Sequence, residues 1–478
     1  MFKSKKWVLA TGAVLLLFFL TMTTCSFAGL KLINSVMNNR PDLFSKYFPV
    51  VSWCGNGLPF VSNLPEILDR EYVVLLQNNA EIRATGGFSG SYAKITFANG
   101  GLKNILIQDI YEPDGKLPGH VEPPYPIQEA FGQGWWKLRD ANWDVDFASA
   151  AATVSWFLRQ GGEKNVDGVI AINLDLLRKW IAVLGTVKVT TFEEEVTAEN
   201  LYSLAQTYAE RRTEGNKTEK RQFLGALGAA LMERTKAASK KELLGLGKMA
   251  FEELGRKQIL VWAKDSVVQA DIERMRWDGR LKSGWSGAGD YIYVVDTNLG
   301  ANKSDCCIER EIVQKVEKIE EGAKIELKII RKNNNPYSVP RPPESWGGQY
   351  VDYVRVVLPK TAIRLGAVQV NGKELKLMQP DLTPVSLRQG RSESEYSLEE
   401  RNDMYIVGFW MVVDARQKGE ATIDYESKRS PDYRYEVFVK RQPGVSSFKY
   451  SILVGANEVE EVGIDRDKQL KVLWNGND

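Results

Sequence analysis

Lys3, Lys5 and Lys6 stand just ahead of a run from Trp7 to Leu30 that contains no charged residue. Its centre, Val14-Leu15-Leu16-Leu17-Phe18-Phe19-Leu20, is strongly apolar. About 20 such residues, rising about 1.5 Å each along a helix, cross a hydrocarbon core. Residues 1–30 are therefore expected to be a transmembrane helix. Lysines before the run and fewer basic residues just after it favour an N-terminus in the cytoplasm, with the bulk of the chain outside it. Two other readings of the segment stay open. Ser26-Phe27-Ala28 before Gly29 is a small-residue cleavage site for a signal peptide, and Cys25 is a lipidation site in poor context, since Met22-Thr23-Thr24 lacks the usual Leu. All three readings send the chain to the same side of the membrane.

A chain of 478 residues is too long for one compact domain of roughly 100–200 residues. Hydrophobic residues at 44% and charged residues at 26% are globular values and exclude whole-chain disorder. Lys+Arg 63 against Asp+Glu 61 leaves a formal charge of +2, which gives no electrostatic footprint for nucleic acid. The single histidine, His120, removes zinc sites built on several histidines. Any Ser-His-Asp or Cys-His mechanism would have to run through this one loop residue. The cysteines are Cys25, Cys54, Cys306 and Cys307, with no CxxC spacing. One bridge from Cys54 to Cys306 or Cys307 is conceivable in an oxidising compartment, and free buried cysteines are the alternative.

Beyond a juxtamembrane linker (31–68), Tyr72-Val73-Val74-Leu75-Leu76 reads as a buried strand. Ser91–Phe97 and Leu102–Ile107 read as a hairpin turning at Asn99-Gly100-Gly101. Val166–Asn173 is a further strand, and Leu174–Leu184 a helix closed by Gly185. This alternation predicts a layered α/β core domain over 69–192. Residues 193–258, rich in Ala, Leu, Glu, Lys and Arg, predict a helical insertion. Its charge-dense stretch Arg211–Arg221 reads most simply as a solvated helix end or loop. Residues 259–312 are expected to return to the α/β core, and the short alternating strands of 313–478 predict an all-β, sandwich-like domain.

Two segments can carry chemistry. The first, Gln77 to Tyr92, leaves a buried strand and contains Asn79, Glu81, Arg83, Thr85, Gly86 and Gly87. Ligands in open α/β sheets bind beyond the carboxyl ends of strands, glycines let backbone N–H groups cradle an anion, and Arg83 can add a bidentate contact. The alternative is a tight turn in which Arg83 pairs with Glu81 or another acid. The second segment, Trp135 to Phe147, contains Arg139, Asp140, Asn142 and Asp144. Val145 and Ala151 stand where an EF-hand needs Gly and Glu, so that motif is excluded. Asp140 and Asp144 remain candidates for Mg²⁺. The alternatives are a buried Arg139–Asp140 ion pair and a helix cap. Asn302-Lys303-Ser304-Asp305 is a polar loop near the first domain, or simply a turn.

These motifs resemble the bacterial family known as domain of unknown function 4012. The likeness rests on Gln77 to Phe88, Leu138-Arg139-Asp140-Ala141-Asn142-Trp143-Asp144 and Val166 to Asn173, with Gly300 to Asp305 in support. That family has an N-terminal membrane segment and no established activity. Val166 to Val189 is also similar to the LytR-CpsA-Psr cell-wall ligases. These are membrane-anchored enzymes that move glycopolymers from a polyprenyl-pyrophosphate carrier to the cell wall with arginines and a divalent metal. That resemblance implies Arg83 and Arg139 on a pyrophosphate and Asp140 or Asp144 on Mg²⁺. Gln108-Asp109 stands where those enzymes carry Arg-Asp, and no later arginine-rich motif matches. The expectation is a membrane-anchored cell-envelope protein that binds a cell-wall glycan or anionic polymer at Asn79, Glu81, Arg83, Thr85, Gly86, Gly87, Arg139 and Asp140. A phosphotransferase acting on a polyprenyl-linked polymer is the alternative.

Overall fold

A computed structural model describes residues 3–55, 58–163, 166–211, 219–282, 284–286, 289–320, 322–341, 346–379, 384–427, 434–455 and 457–473. For 3–19, 363, 434, 457–460 and 473 it describes the backbone alone. The chain opens with helix α1 (Lys3–Met37), followed by α2 (Pro41–Cys54) and α3 (Leu64–Ile67). Among the described residues no helix is long and apolar enough to cross a membrane. The side chains of Val14 to Phe19, the centre of the expected anchor, lie outside the described residues. The end of that segment is packed protein. Cys25 is bonded to Cys54, Ala28 is buried, and Leu32 packs with Phe44 of α2 and with Leu68. Cys306 is bonded to its neighbour Cys307. Neither reading of the cysteines holds: Cys54 is bonded to Cys25 of the packed neighbouring helix rather than to Cys306 or Cys307, and among the described residues none is free.

The α/β part is built on a five-stranded sheet made by β1 (Glu71–Asn78), β2 (Phe88–Ala98), β3 (Gly101–Asp109), β4 (Gly168–Asn173) and a late strand, Ile259–Ala263. Its order is β3, β2, β1, β4 and the late strand; β1 and β4 are parallel, the other pairs antiparallel. Side chains alternate across a strand. Val73, Leu75, Val169 and Ala171 therefore share one face, which packs on α6 (Phe147–Gln160) through Val154, Phe157 and Leu158. Two short helices, α4 (Tyr111–Asp114) and α5 (Tyr125–Phe131), precede α6. The opposite face carries Leu76 and Ile172 and lies under α7 (Leu174–Leu184) and the helical insertion. That insertion comprises the hairpin of β5 (Val187–Val189) and β6 (Glu194–Val196), then α8 (Leu201–Glu210), α9 (Lys220–Lys236) and α10 (Lys240–Gly255). The late strand is β7, and α11 (Ser266–Arg274) follows it.

The rest of the chain is two seven-stranded sheets sharing one core. β8 (Asp290–Val295) pairs between two strands of the second sheet, Tyr350–Pro359 and Arg434–Lys440. The strand Ile308–Ile319 lies in the first sheet. Pairing therefore enters the sandwich at residue 290, well before 313, and only Ile259–Ala263 of the 259–312 segment joins the α/β sheet. Ile325, Leu327 and Ile423 of one sheet face Val354, Val356 and Phe409 of the other.

A buried charge cluster sits where β8 ends. Asp296 accepts from Arg310 Nε at 2.6 Å and from Arg331 Nε and Nη2 at 2.9 and 2.7 Å. Burial alone would raise this carboxyl, but Arg331 and Arg310 outweigh burial and hold it at about 2. Burial and Asp296 push the neighbouring Asp352 well up. A folded-state value below the ~3.9 of an unfolded aspartate stabilises the native state above about pH 4, and that stability is lost as pH falls towards 2. Removing one partner of a buried pair costs about 3–5 kcal/mol. Arg331→Met should lower the urea midpoint accordingly and should lose less stability than the wild type between about pH 4 and 2. An unchanged midpoint would contradict this role.

Candidate functional site

The loop from Asn79 to Gly87 leaves the carboxyl end of β1, where a ligand loop was expected. It is not open. Ile82 is fully buried in the sandwich core, and Arg83, Thr85, Gly86 and Gly87 are buried too. Asn298 N donates to Ile82 O at 3.1 Å and Asp305 N to Ala80 O at 3.0 Å. Gln442 Nε2 donates to Arg83 O at 3.1 Å. Gln77 Nε2 donates to Thr85 Oγ1 at 2.9 Å, and Asn79 Nδ2 reaches Gly444 O at 3.4 Å. Gly87 has a φ of 155°, and a Cβ there would collide with the carbonyl of Asn78. Gly87 thus lets the loop close on its own start, while Gly86 gives room to the Gln77 side chain and to Gly444 of the sandwich.

The candidate charges form a row of alternating sign. Arg83 donates to Glu81 Oε1 at 3.0 Å and to the Asn298 carbonyl. Asp140 is buried, with Arg83 and Arg139 as its charged neighbours; Arg139 Nε lies 3.5 Å from it. Arg139 also approaches Asp114 at 3.8 Å and stacks over Tyr111. Burial raises the Asp140 carboxyl, against the pull of both arginines. Each arginine is thus already neutralised by carboxylates. Asp144 stands apart, held by Arg401 Nη1 at 3.0 and 2.9 Å. The structure does not bring Asp140 and Asp144 together as Mg²⁺ ligands, and no group of three or more His, Cys, Asp or Glu that could hold a metal occurs among the described residues.

An open cleft does exist beside this row. It has a volume of 380 Å³ and lies over the carboxyl ends of the parallel strands β1 and β4, beneath α7, α8 and α9. Its walls are largely apolar, from Leu76, Ile172, Leu174, Leu177, Ala205 and Leu224, with Asn78, Asn173 and Gln206 among them and Glu210 accepting from Gln206 Nε2 at 2.6 Å. At one end stand Glu81, Lys220 and Lys303. Among the described residues neither ammonium has a hydrogen-bond or ion-pair partner. Burial lowers Lys220, opposed by Asp109. Burial raises Glu81, opposed by Arg83 and Lys303. A Cβ at Gly90 would collide with the Lys220 ammonium, so the bare glycine makes room for it. Of the expected site residues, Glu81 alone lines this cleft.

Sequence reasoning passed over both lysines. Lys220 lies in the charge-dense stretch read as a solvated end, of which 212–218 are outside the described residues. Lys303 lies in the polar loop weighed against a simple turn. No local signal marks either one, because the fold brings them together from segments far apart in the chain.

This sheet-and-helix unit is the stretch that a known family covers. Residues 69–209 match the family model described as Protein of unknown function (DUF4012). No curated protein matches the chain. Among solved structures, B. subtilis TagV, a LytR-CpsA-Psr family protein, is similar at 15% identity and a TM-score of 0.27, covering 43% of this chain and 79% of its own. Lin1025 protein from Listeria innocua is similar at 11% identity and a TM-score of 0.24, covering 44% and 79%. Protein gbs0355 from Streptococcus agalactiae is similar at 14% identity and a TM-score of 0.26, covering 44% and 76%. At TM-scores this low no functional inference follows from the superposition.

Two glycines in one loop should respond differently to substitution. Gly87→Ala drives a side chain into backbone at positive φ and should cost upwards of about 1 kcal/mol in denaturant unfolding. Gly90→Ala meets only the flexible end of Lys220 and should cost less. Equal effects would contradict this packing.

Proposed function

We propose that the cleft binds an amphiphile with an apolar chain and a phosphate or pyrophosphate head, such as the lipid-linked carrier of an envelope polymer. One observation carries this reading: a largely apolar wall ends at two ammonium groups, Lys220 and Lys303, that have no hydrogen-bond or ion-pair partner among the described residues. Half-buried charges without partners are unfavourable unless a counter-charge arrives with the ligand. Sites beyond the carboxyl ends of parallel strands are the usual ligand positions in α/β sheets.

An extracytoplasmic, membrane-anchored location suits such a ligand. Its supports are the three lysines ahead of the uncharged run Trp7–Leu30 and the exposed Leu20, Met22 and Phe27 on α1. Group transfer through Arg83 and Arg139 draws no support from their positions, since carboxylates already occupy both.

The test uses the full chain in detergent and three probes: farnesyl pyrophosphate, inorganic pyrophosphate and farnesol. Farnesyl pyrophosphate should bind best, because it alone satisfies both ends of the cleft. A charge-assisted hydrogen bond contributes about 1.5–3 kcal/mol, so Lys220→Ala and Lys303→Ala should each weaken binding roughly ten- to hundredfold. Farnesol binding as tightly as its pyrophosphate, with both variants unaffected, would defeat the reading.

Glu81 adds a pH signature. Its raised carboxyl repels an anionic head when ionised, so affinity should rise as pH falls and Glu81 takes up a proton. Glu81→Gln should bind a few-fold more tightly at pH 7 and show a flatter pH profile. An unchanged profile would remove Glu81 from the head-group site.

A further inference from the structure

A second cleft, of 300 Å³, opens where the α/β part meets the outer face of the sheet containing β8. Tyr125 and Trp143 line it from the α/β side, and Tyr353, Arg355, Ser397 and Glu399 from the sandwich. It shares no residue with the lysine cleft.

Arg355 is only 6% exposed. Its Nη2 donates to Thr297 Oγ1 at 3.0 Å, and its guanidinium lies 4.0 Å over the Trp143 ring. Among the described residues no carboxylate lies within ion-pair reach of it. Its Nε is buried without a partner. The nearby Asp144 cannot serve, because Arg401 holds both of its oxygens. Of the other buried arginines near domain contacts, Arg83, Arg310 and Arg331 have carboxylates, and Arg441, which lines no such cleft, is taken up by the carbonyls of Arg256 and Ser446. Asp144 and Glu399 act on it only from beyond ion-pair range, and a buried cation that lines a cavity with no carboxylate in contact invites an anionic group from outside.

The remaining lining says what bears that group. The hydroxyls of Tyr125 and Tyr353 are hydrogen-bonded to each other, and Tyr353 reaches Ser397 Oγ at 3.0 Å. Gly408 keeps the strand behind them bare, since a Cβ there would collide with the Tyr353 hydroxyl. Glu399 is exposed at the rim and has no partner among the described residues. A bare phosphate would meet repulsion from Glu399 and Asp144. A ring carrying both an acid and hydroxyl groups would satisfy Arg355 with the acid and donate its hydroxyls to Glu399 and the hydroxyl row.

We propose that this cleft is a second binding site, which takes an acidic sugar unit with its carboxylate on Arg355 and its ring hydroxyls on Glu399, Ser397 and the tyrosine pair. The site is independent of the lipid-phosphate reading.

Equilibrium binding of D-glucuronate, D-glucose and inorganic phosphate to the full chain tests it. Glucuronate should bind about tenfold more tightly than glucose, the scale of one charge-assisted hydrogen bond, and phosphate should not displace it. Arg355→Gln should abolish the preference for glucuronate over glucose. Glu399→Gln, an exposed change that leaves folding alone, should weaken both sugars roughly fivefold. Lys220→Ala should change nothing here. Equal binding of glucose and glucuronate, displacement by equimolar phosphate, or no effect of Glu399→Gln would each overturn the proposal. Should Arg355→Gln fail to fold, the Glu399 variant and the three wild-type titrations still decide.

Discussion

The guanidinium of Arg83 joins the two parts of the molecule. One nitrogen donates to the Asn298 carbonyl, in the segment that follows β8, and another donates to Glu81 on its own loop. Ile82, next to it, is inserted into the sandwich core. A buried arginine is tolerable where its donors find acceptors, and this geometry supplies them to both terminal nitrogens from both sides of the interface, leaving only Nε without one. The loop that ends β1 is thus fixed by the sandwich rather than by the sheet it leaves.

That constraint shapes the lysine cleft. Glu81 reaches it because Arg83 pins the loop, and Lys303 reaches it because residues 298–305 hydrogen-bond along the same loop. Lys220 arrives from the other direction, at the start of α9. The sheet supplies the apolar floor, the helices supply the walls, and the sandwich supplies one of the two cations. Carboxylates neutralise Arg83 and Arg139 within the protein, and those two positions are structural. Lys220 and Lys303 have no such partner among the described residues, and that difference separates charge committed to the architecture from charge that the proposed reading assigns to a ligand.

Much of the fold was legible because local pattern and tertiary context agree. Tyr72–Leu76 is a continuous apolar run since both faces of β1 are covered. The hairpin at Asn99-Gly100 has both residues at positive φ, and Gly185 closes α7 where its composition requires a stop. Strands at the sandwich margins were not legible. Glu395–Arg401 is polar and largely outward-facing, and Ala362–Val370 is interrupted by register shifts that spoil its alternation. The division of the chain was misjudged at β8, since a buried strand reads alike in either sheet. The site was legible only in part. Gln77 to Gly87 has the composition of an anion loop, but composition cannot reveal that its glycines face backbone. Lys220 and Lys303 become a pair only when the chain has folded.

A crystal structure of the complex with farnesyl pyrophosphate is the most direct measurement. The account predicts the pyrophosphate within hydrogen-bond reach of Lys220 and Lys303, with the isoprenoid chain running along Leu174, Leu177 and Leu224. A ligand bound elsewhere, with this cleft empty at saturating concentration, would contradict it.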